Sequence, residues 1–136
     1  MLKTKKQNKK KKGFTLIELI VVLAVLAIIA LIAIPNFNKI RENSKIKSDE
    51  SSSNHIDQAV TLLVQSGDIK EDGTYEYNGS TVAKATGSTG TNDYSNVISG
   101  VLGTTSNPPQ ENGKTHYEIK IENATTANPT VKVETK

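Results

Sequence analysis

Residues Phe14–Ile34 form a run of 21 residues that is apolar except at Thr15 and Glu18. At 1.5 Å per residue it makes a helix about 31 Å long, which matches a bilayer core of roughly 30 Å. Residues 1–13 carry seven lysines and no acid, and the nearest positive charges beyond the run are Lys39 and Arg41. The positive-inside rule therefore predicts that residues 1–12 stay in the cytoplasm and the C-terminal part faces outward. A secretory signal cut after its apolar core fits poorly. Its core would span about 7–15 residues and end in a small-x-small site. Here Ala24, Ala27, Ala30 and Ala33 are spaced by three and supply no A-x-A.

Glu18 is the anomaly of the run. A carboxylate at the centre of a membrane helix costs about 2.5–3.5 kcal/mol, less where it reaches the interface. No basic side chain lies within the run to pair with it. Cutting the chain after Gly13 would create a partner, because the free amine of Phe14 would be cationic at neutral pH. One turn separates Phe14 from Glu18. The two charges can meet within one chain, or between staggered neighbours, where the pairing would set the axial register of an assembly. The alanines at three-residue spacing make a shallow spiral of small side chains, which lets apolar helices approach closely in lipid. Alanine is also common in membrane helices on composition alone.

Gly13-Phe14-Thr15-Leu16-Ile17-Glu18, preceded by a lysine run and followed by an apolar stretch, resembles the class III signal of type IV pilins and pseudopilins. The resemblance covers residues 9–37. It implies that a prepilin peptidase cuts after Gly13 and methylates Phe14, and that Glu18 is the assembly residue, pairing with a neighbouring subunit's N-terminal amine. Pro35 resembles the proline near the end of the family's apolar segment. Partners implied by the resemblance are other pilins and further copies of the chain in a helical filament, the peptidase, a membrane platform and its ATPase motor. The precursor is expected in the membrane, with its N-terminus cytoplasmic, and the assembled pilus at the cell surface. Adhesion, motility and DNA uptake are the roles such a filament serves. The alternative is a pseudopilin of a type II secretion or competence system.

The remaining sequence bounds what else the chain can be. The net charge of +3 divides into the lysine-rich segment and a remainder with ten basic and fourteen acidic residues. Once the first 13 residues are removed, a nucleic-acid-binding reading from pI fails. There is no cysteine, which excludes a disulfide framework and a thiolate metal site. Pilins often close their C-terminal loop with a disulfide, so another device is needed here. With two Phe, four Tyr and no Trp, any core outside the first third is small, and a large catalytic pocket lacks walls. No catalytic set, cofactor motif or metal pattern emerges, so the chain is expected not to be an enzyme. An anchored enzyme or binding module that keeps residues 1–13 would leave Glu18 unpaired.

The expected organisation is a leader at 1–13, a membrane or filament-core helix at 14–35, an amphipathic helix at 36–66 and a β-rich head at 67–136. Pro35 predicts a kink or short melted stretch. Ile56, Ala59, Val60 and Leu63 recur at helical spacing, with an interruption expected at Ser51–Asn54, a fresh start at Asn54/Asp57 and an end at Gly67. Thr74–Tyr77, Asn78-Gly79 and Ser80–Lys84 read as a hairpin with a tight turn. Ala85–Asn92 reads as a flexible loop. Asp93–Leu102 reads as a short helix with Val97, Ile98, Val101 and Leu102 inward. Asn107-Pro108-Pro109 reads as a turn, and His116–Ile121 with Thr130–Glu134 as a last hairpin. The fold class is thus α+β, a long N-terminal helix against a small antiparallel sheet, as in pilins. Asp68, Glu71 and Asp72 lack the regular spacing of a calcium loop and read as a solvated turn. His55 and His116 read as surface or packing residues. Asn78-Gly79-Ser80 and Asn123-Ala124-Thr125 match the glycosylation sequon, but the bacterial-type leader argues against modification.

Overall fold

A computed structural model describes residues 12–103 and 108–136. The lysines from Lys3 to Lys11, and Asn107 of the expected proline turn, lie outside the described residues. The architecture is α+β. A 50-residue helix α1 (Leu16–Gln65) precedes strands β1 (Gly73–Tyr77) and β2 (Val82–Lys84), helix α2 (Ser95–Leu102), and strands β3 (Tyr117–Glu122) and β4 (Thr130–Thr135). The chain divides into two compact units, Met1–Lys39 and Ile40–Lys136.

In the first unit no described residue is buried. The helix here is long and apolar enough to cross a membrane. It continues through Pro35 with no melted stretch. A proline inside a helix removes one backbone hydrogen bond and costs about 3 kcal/mol. The helical backbone nonetheless persists on both sides of the proline.

The second unit holds the core. Ile56, Val60, Leu63 and Val64 of α1 pack with Ile69, with Tyr75 and Tyr77 of β1, with Ile98 and Leu102 of α2, and with Tyr117, Ile119 and Ile121 of β3. The expected break at Ser51–Asn54 is absent. Asp57 accepts a hydrogen bond from the Thr61 hydroxyl one turn on (3.1 Å), so it supports the running helix instead of opening a new one. The helix ends as the sequence predicts. Gly67, at φ 82°, lets its own N–H reach the Val64 carbonyl and that of Asp68 reach Leu63, which makes a Schellman cap.

The sheet is antiparallel throughout, in the order β2-β1-β3-β4. Its inner face is tyrosine-rich because both phenylalanines, Phe14 and Phe37, are exposed on the first unit. The rings of Tyr77 and Tyr117 stack with centroids 6.3 Å apart. The hydroxyls of Tyr77 and Tyr75 are satisfied: that of Tyr77 donates toward the carbonyls of Gly79 and Gly103, each 3.2 Å away, and that of Tyr75 accepts from Tyr94 N–H. Tyrosine can therefore fill this core without stranding a buried hydroxyl.

Three local expectations are corrected. The β1–β2 connection has four residues, since Tyr77 pairs with Val82. The Asn78 carboxamide oxygen accepts from the N–H groups of Ser80 and Thr81, so the side chain forms the turn that a two-residue loop would have made from backbone. In α2, Ile98 and Leu102 are buried one turn apart, whereas Val97 and Val101 are 37% and 52% exposed. A two-turn helix has one inward stripe, and i/i+4 spacing fills it. The acidic turn is also more than a solvated turn. Glu71 accepts from the N–H groups of Thr91 and Asn92 (2.7 and 3.0 Å) and from the Asn92 carboxamide, while Asp72 accepts from Ala124 N–H (2.8 Å). Lys84 donates to the carbonyls of Gly90 and Asn92 from the other side. Gly90 fits there because a Cβ would stand 2.3 Å from the Asp72 carbonyl oxygen.

The backbone N–H groups of Asn92 and Thr91 hold the Glu71 carboxyl below its ordinary pKa. A depressed carboxylate pKa means that the latch operates above the unfolded-state value and is lost as pH falls through the folded one. The amide protons of Thr91 and Asn92 are expected to titrate together in NMR, with a midpoint below that of a free glutamate near 4.3. Invariance of both signals through that range would show that the latch does not form in solution.

Candidate functional site

The N-terminal site begins outside the helix. Lys12, Gly13, Phe14 and Thr15 are non-helical and exposed, and α1 starts at Leu16. The Gly13–Phe14 bond thus lies in the accessible, non-helical chain that a protease needs. Gly13 has no positive φ, and a Cβ added to it would meet nothing within 4 Å. The fold itself does not demand glycine at this position, so a requirement for it has to come from another molecule. Phe14 is 88% exposed and packs on nothing that would hold it back from an enzyme.

Thr15 was not singled out by the sequence reading, and it organises the helix start. Its hydroxyl accepts from the Glu18 N–H at 3.3 Å, and its carbonyl accepts from the Leu19 N–H at 3.2 Å. This is the N-cap geometry, and Thr15-Leu16-Ile17-Glu18 has the S/T-x-x-E spacing of a capping box. That spacing was the signal that could have identified it. Glu18 sits in the first turn, where a negative charge opposes the unpaired N–H groups and the positive end of the helix dipole. Among the described residues no ion pair reaches Glu18. Its local setting therefore explains why an acid is tolerated at the start of an apolar helix, and leaves its charge free for an external cation.

The other candidates lie elsewhere in the chain. Pro35 sits inside α1. His116 has its Nδ1 2.9 Å from the Thr115 hydroxyl and its Nε2 3.9 Å from Glu76, on the sheet. His55 is exposed on α1. The carboxylates of Glu71 and Asp72 are occupied by backbone amides.

Asp49 is the second residue that sequence reasoning missed. It is 3% exposed, and its two oxygens accept from the N–H groups of Gln110 and Glu111 at 2.7 and 2.8 Å. The carboxylate ties α1 to a segment about 60 residues further on. Nothing in its neighbourhood in the sequence announces this.

Residues 8–34 match the family model described as the prokaryotic N-terminal methylation motif. No curated protein and no solved structure matches the chain. The motif marks the class III signal of type IV pilins and pseudopilins, so the chain carries a prepilin-type N-terminus. That signal implies processing by a prepilin peptidase and assembly of the pilin type, and with the apolar helix it fits a membrane-anchored precursor.

Proposed function

We propose that the chain is a structural, non-catalytic subunit of a type IV pilus. It is held in the membrane as a precursor, cut after Gly13, methylated at Phe14 and polymerised into a surface filament. The observation that carries this reading is the pairing of an exposed glycine the fold does not require with an apolar helix that buries nothing on its own. Such a helix is stable only in lipid or against other copies. In lipid there is no hydrophobic drive between helices, so close packing through small side chains and the pairing of the Phe14 amine with Glu18 must guide the transfer into a fibre. The platform and motor that extract the subunit are expected partners of such a filament. The Ser/Thr/Asn-rich head favours a surface-displayed pilin over a pseudopilin.

Intact mass of the protein sheared from the surface of producing cells tests the proposal. The expected mass is that of residues 14–136 plus one methyl group. A full-length mass, found only with membranes, would replace this reading with that of a plain signal-anchored protein.

A further inference from the structure

The two edges of the sheet are unlike. Helix α2 packs beside β2 at one edge, whereas β4 at the other pairs, among the described residues, with β3 alone. β4 runs from Thr130 to Thr135 without a proline or a bulge. An open groove follows its free side, lined by Val133, Glu134 and Thr135 and by Ile46, Asp49 and Glu50 of α1. The hydrogen-bonding phase of the strand is set at its end. Lys136 N–H donates to the His116 carbonyl at 2.9 Å, and His116 N–H returns the bond to Lys136 at 3.3 Å. Such pairs alternate along an antiparallel ladder. Glu134, Lys132 and Thr130 therefore also bond inward to β3, and the N–H and C=O groups of Val131, Val133 and Thr135 point away from it. A row of backbone groups turned outward in this way is a template for another strand.

The charges along β4 favour one kind of partner. The outer face as a whole is mixed: Lys120 bonds to Glu122 at 2.7 Å and Lys136 to Glu134 at 3.1 Å, and both lysines lie near Glu118. Row by row, however, it is sorted by sign. Glu76, Glu118 and Glu134 stand opposite one another across β1, β3 and β4, and Lys120 stands opposite Lys132. A lysine on an edge strand ordinarily discourages a second strand. The run Lys132-Val133-Glu134 differs, because read in the reverse direction it is its own complement. An antiparallel copy centred on Val133 sets Lys132 opposite the other copy's Glu134, and Glu134 opposite its Lys132. The same register sets Val133 opposite Val133 and Val131 opposite Thr135. Those are the residues whose backbone groups point outward, so about six backbone hydrogen bonds form. Each glutamate row then runs on into the lysine row of the other copy, which exchanges like-charge neighbours for opposite ones.

We infer that β4 is a pairing edge for β4 of a second copy, in antiparallel register about Val133, so that two heads share one continuous sheet. The backbone bonds supply the attraction, as in other strand additions, and the Lys132–Glu134 contacts fix the register and the choice of partner. The contact is isologous and closes at two copies, so it does not lengthen a polymer. Copies within one helical fibre are related by a screw rotation, and on a fibre this edge would tie a head to a head of a neighbouring fibre. That consequence rests on the filament reading, whereas the pairing itself does not.

Mixing two single-cysteine forms of the full chain, Lys132→Cys and Glu134→Cys, in excess detergent reads the register. The chain has no other cysteine. In the inferred pair these positions face each other with Cα atoms about 4.5 Å apart, within reach of a disulfide. Oxidation should link the two forms in the mixture and give at least about tenfold less dimer from either form alone, where the cysteines are out of register. Lys132→Glu sets like charges opposite each other on both sides of Val133, so self-association, measured by sedimentation in the same detergent, should weaken about tenfold. The head of that variant should melt at the same or a higher temperature, because its own lysine row is broken. Lys132→Glu, Glu134→Lys restores opposite charges across the contact and should restore association. A wild type that stays monomeric, equal crosslinking in the mixture and in the single forms, or a double variant no better than Lys132→Glu each overturns the pairing. Association that Lys132→Glu leaves unchanged belongs to the apolar helix and overturns it as well.

Discussion

Glu18→Ala is expected to leave precursor insertion and cleavage intact while filament incorporation falls at least about tenfold. The residues around the scissile bond are untouched, and the exposed, non-helical stretch from Lys12 to Thr15 does not depend on the Glu18 side chain. The helix start also survives, because Thr15 accepts from the backbone N–H of residue 18, which alanine retains. Removing an acid from an apolar run makes membrane insertion easier, not harder. What is lost is the one anionic side chain in residues 14–34, and with it the proposed partner of the Phe14 amine. A tenfold drop requires only about 1.4 kcal/mol of lost interaction, which a pair of opposite charges in contact supplies even at an effective dielectric of about 20. Glu18→Gln sharpens the test, since it keeps a polar side chain in the first helical turn but carries no charge. A defect in both variants assigns the effect to charge, whereas a defect in alanine alone assigns it to capping. Filaments at wild-type yield from Glu18→Ala, quantified in the sheared fraction against membrane precursor, would remove the pairing from the mechanism.

The prepilin-type N-terminus was legible in the sequence because its signal is local. Gly13, Phe14 and Glu18 lie within six residues, and a lysine run and an apolar stretch define their context without any tertiary information. The amphipathic half of α1 and the strands β3 and β4 were legible for a related reason, since period 3.6 and period 2 each survive in short windows. The failures share one cause, which is competition from partners distant in the chain. Val97 and Val101 have the hydrophobicity of core residues, and only the position of the sheet decides that Ile98 and Leu102 take the inward stripe. Glu71 and Asp72 read as solvated because the amides that fill their acceptor sites come from the distant residues 91, 92 and 124. Pro35 was read by its intrinsic preference, and a long helix absorbed it. The Asn78-Gly79 pair promised a two-residue turn. The Asn78 side chain instead bonds forward to Ser80 and Thr81 and sets a longer loop.

Asp49 shows the same limit most sharply, and its replacement by alanine is expected to destabilise the head strongly. The carboxylate is buried, and each oxygen takes one backbone N–H, from Gln110 and Glu111. Hydrogen bonds to a charged group contribute about 1.5–3 kcal/mol, and a part-buried N–H left without an acceptor costs toward the lower end of about 1–3 kcal/mol. With some relaxation and water entry, a loss of about 2–4 kcal/mol follows for Asp49→Ala. In a unit of roughly 100 residues each kcal/mol moves the melting temperature by about 4–8 °C, so the shift should be at least about 8 °C. Asp49→Asn keeps one acceptor oxygen but turns an amide toward the second N–H, and should lose an intermediate amount. The size of the effect bears on how a cysteine-free head is held. Lys136 pairs with Thr115 and His116 through backbone bonds, which fixes the end of β4 but not residues 110–111. For those residues the Asp49 carboxylate is the tie, and it acts on the native state, where a disulfide would act by constraining the unfolded chain. Thermal melting of the processed protein in detergent, followed by near-ultraviolet signals of the buried tyrosines, reads this out directly. A shift of less than about 2 °C for Asp49→Ala would mean that residues 110–111 are held by packing alone, and that the buried carboxylate contributes nothing the fold depends on.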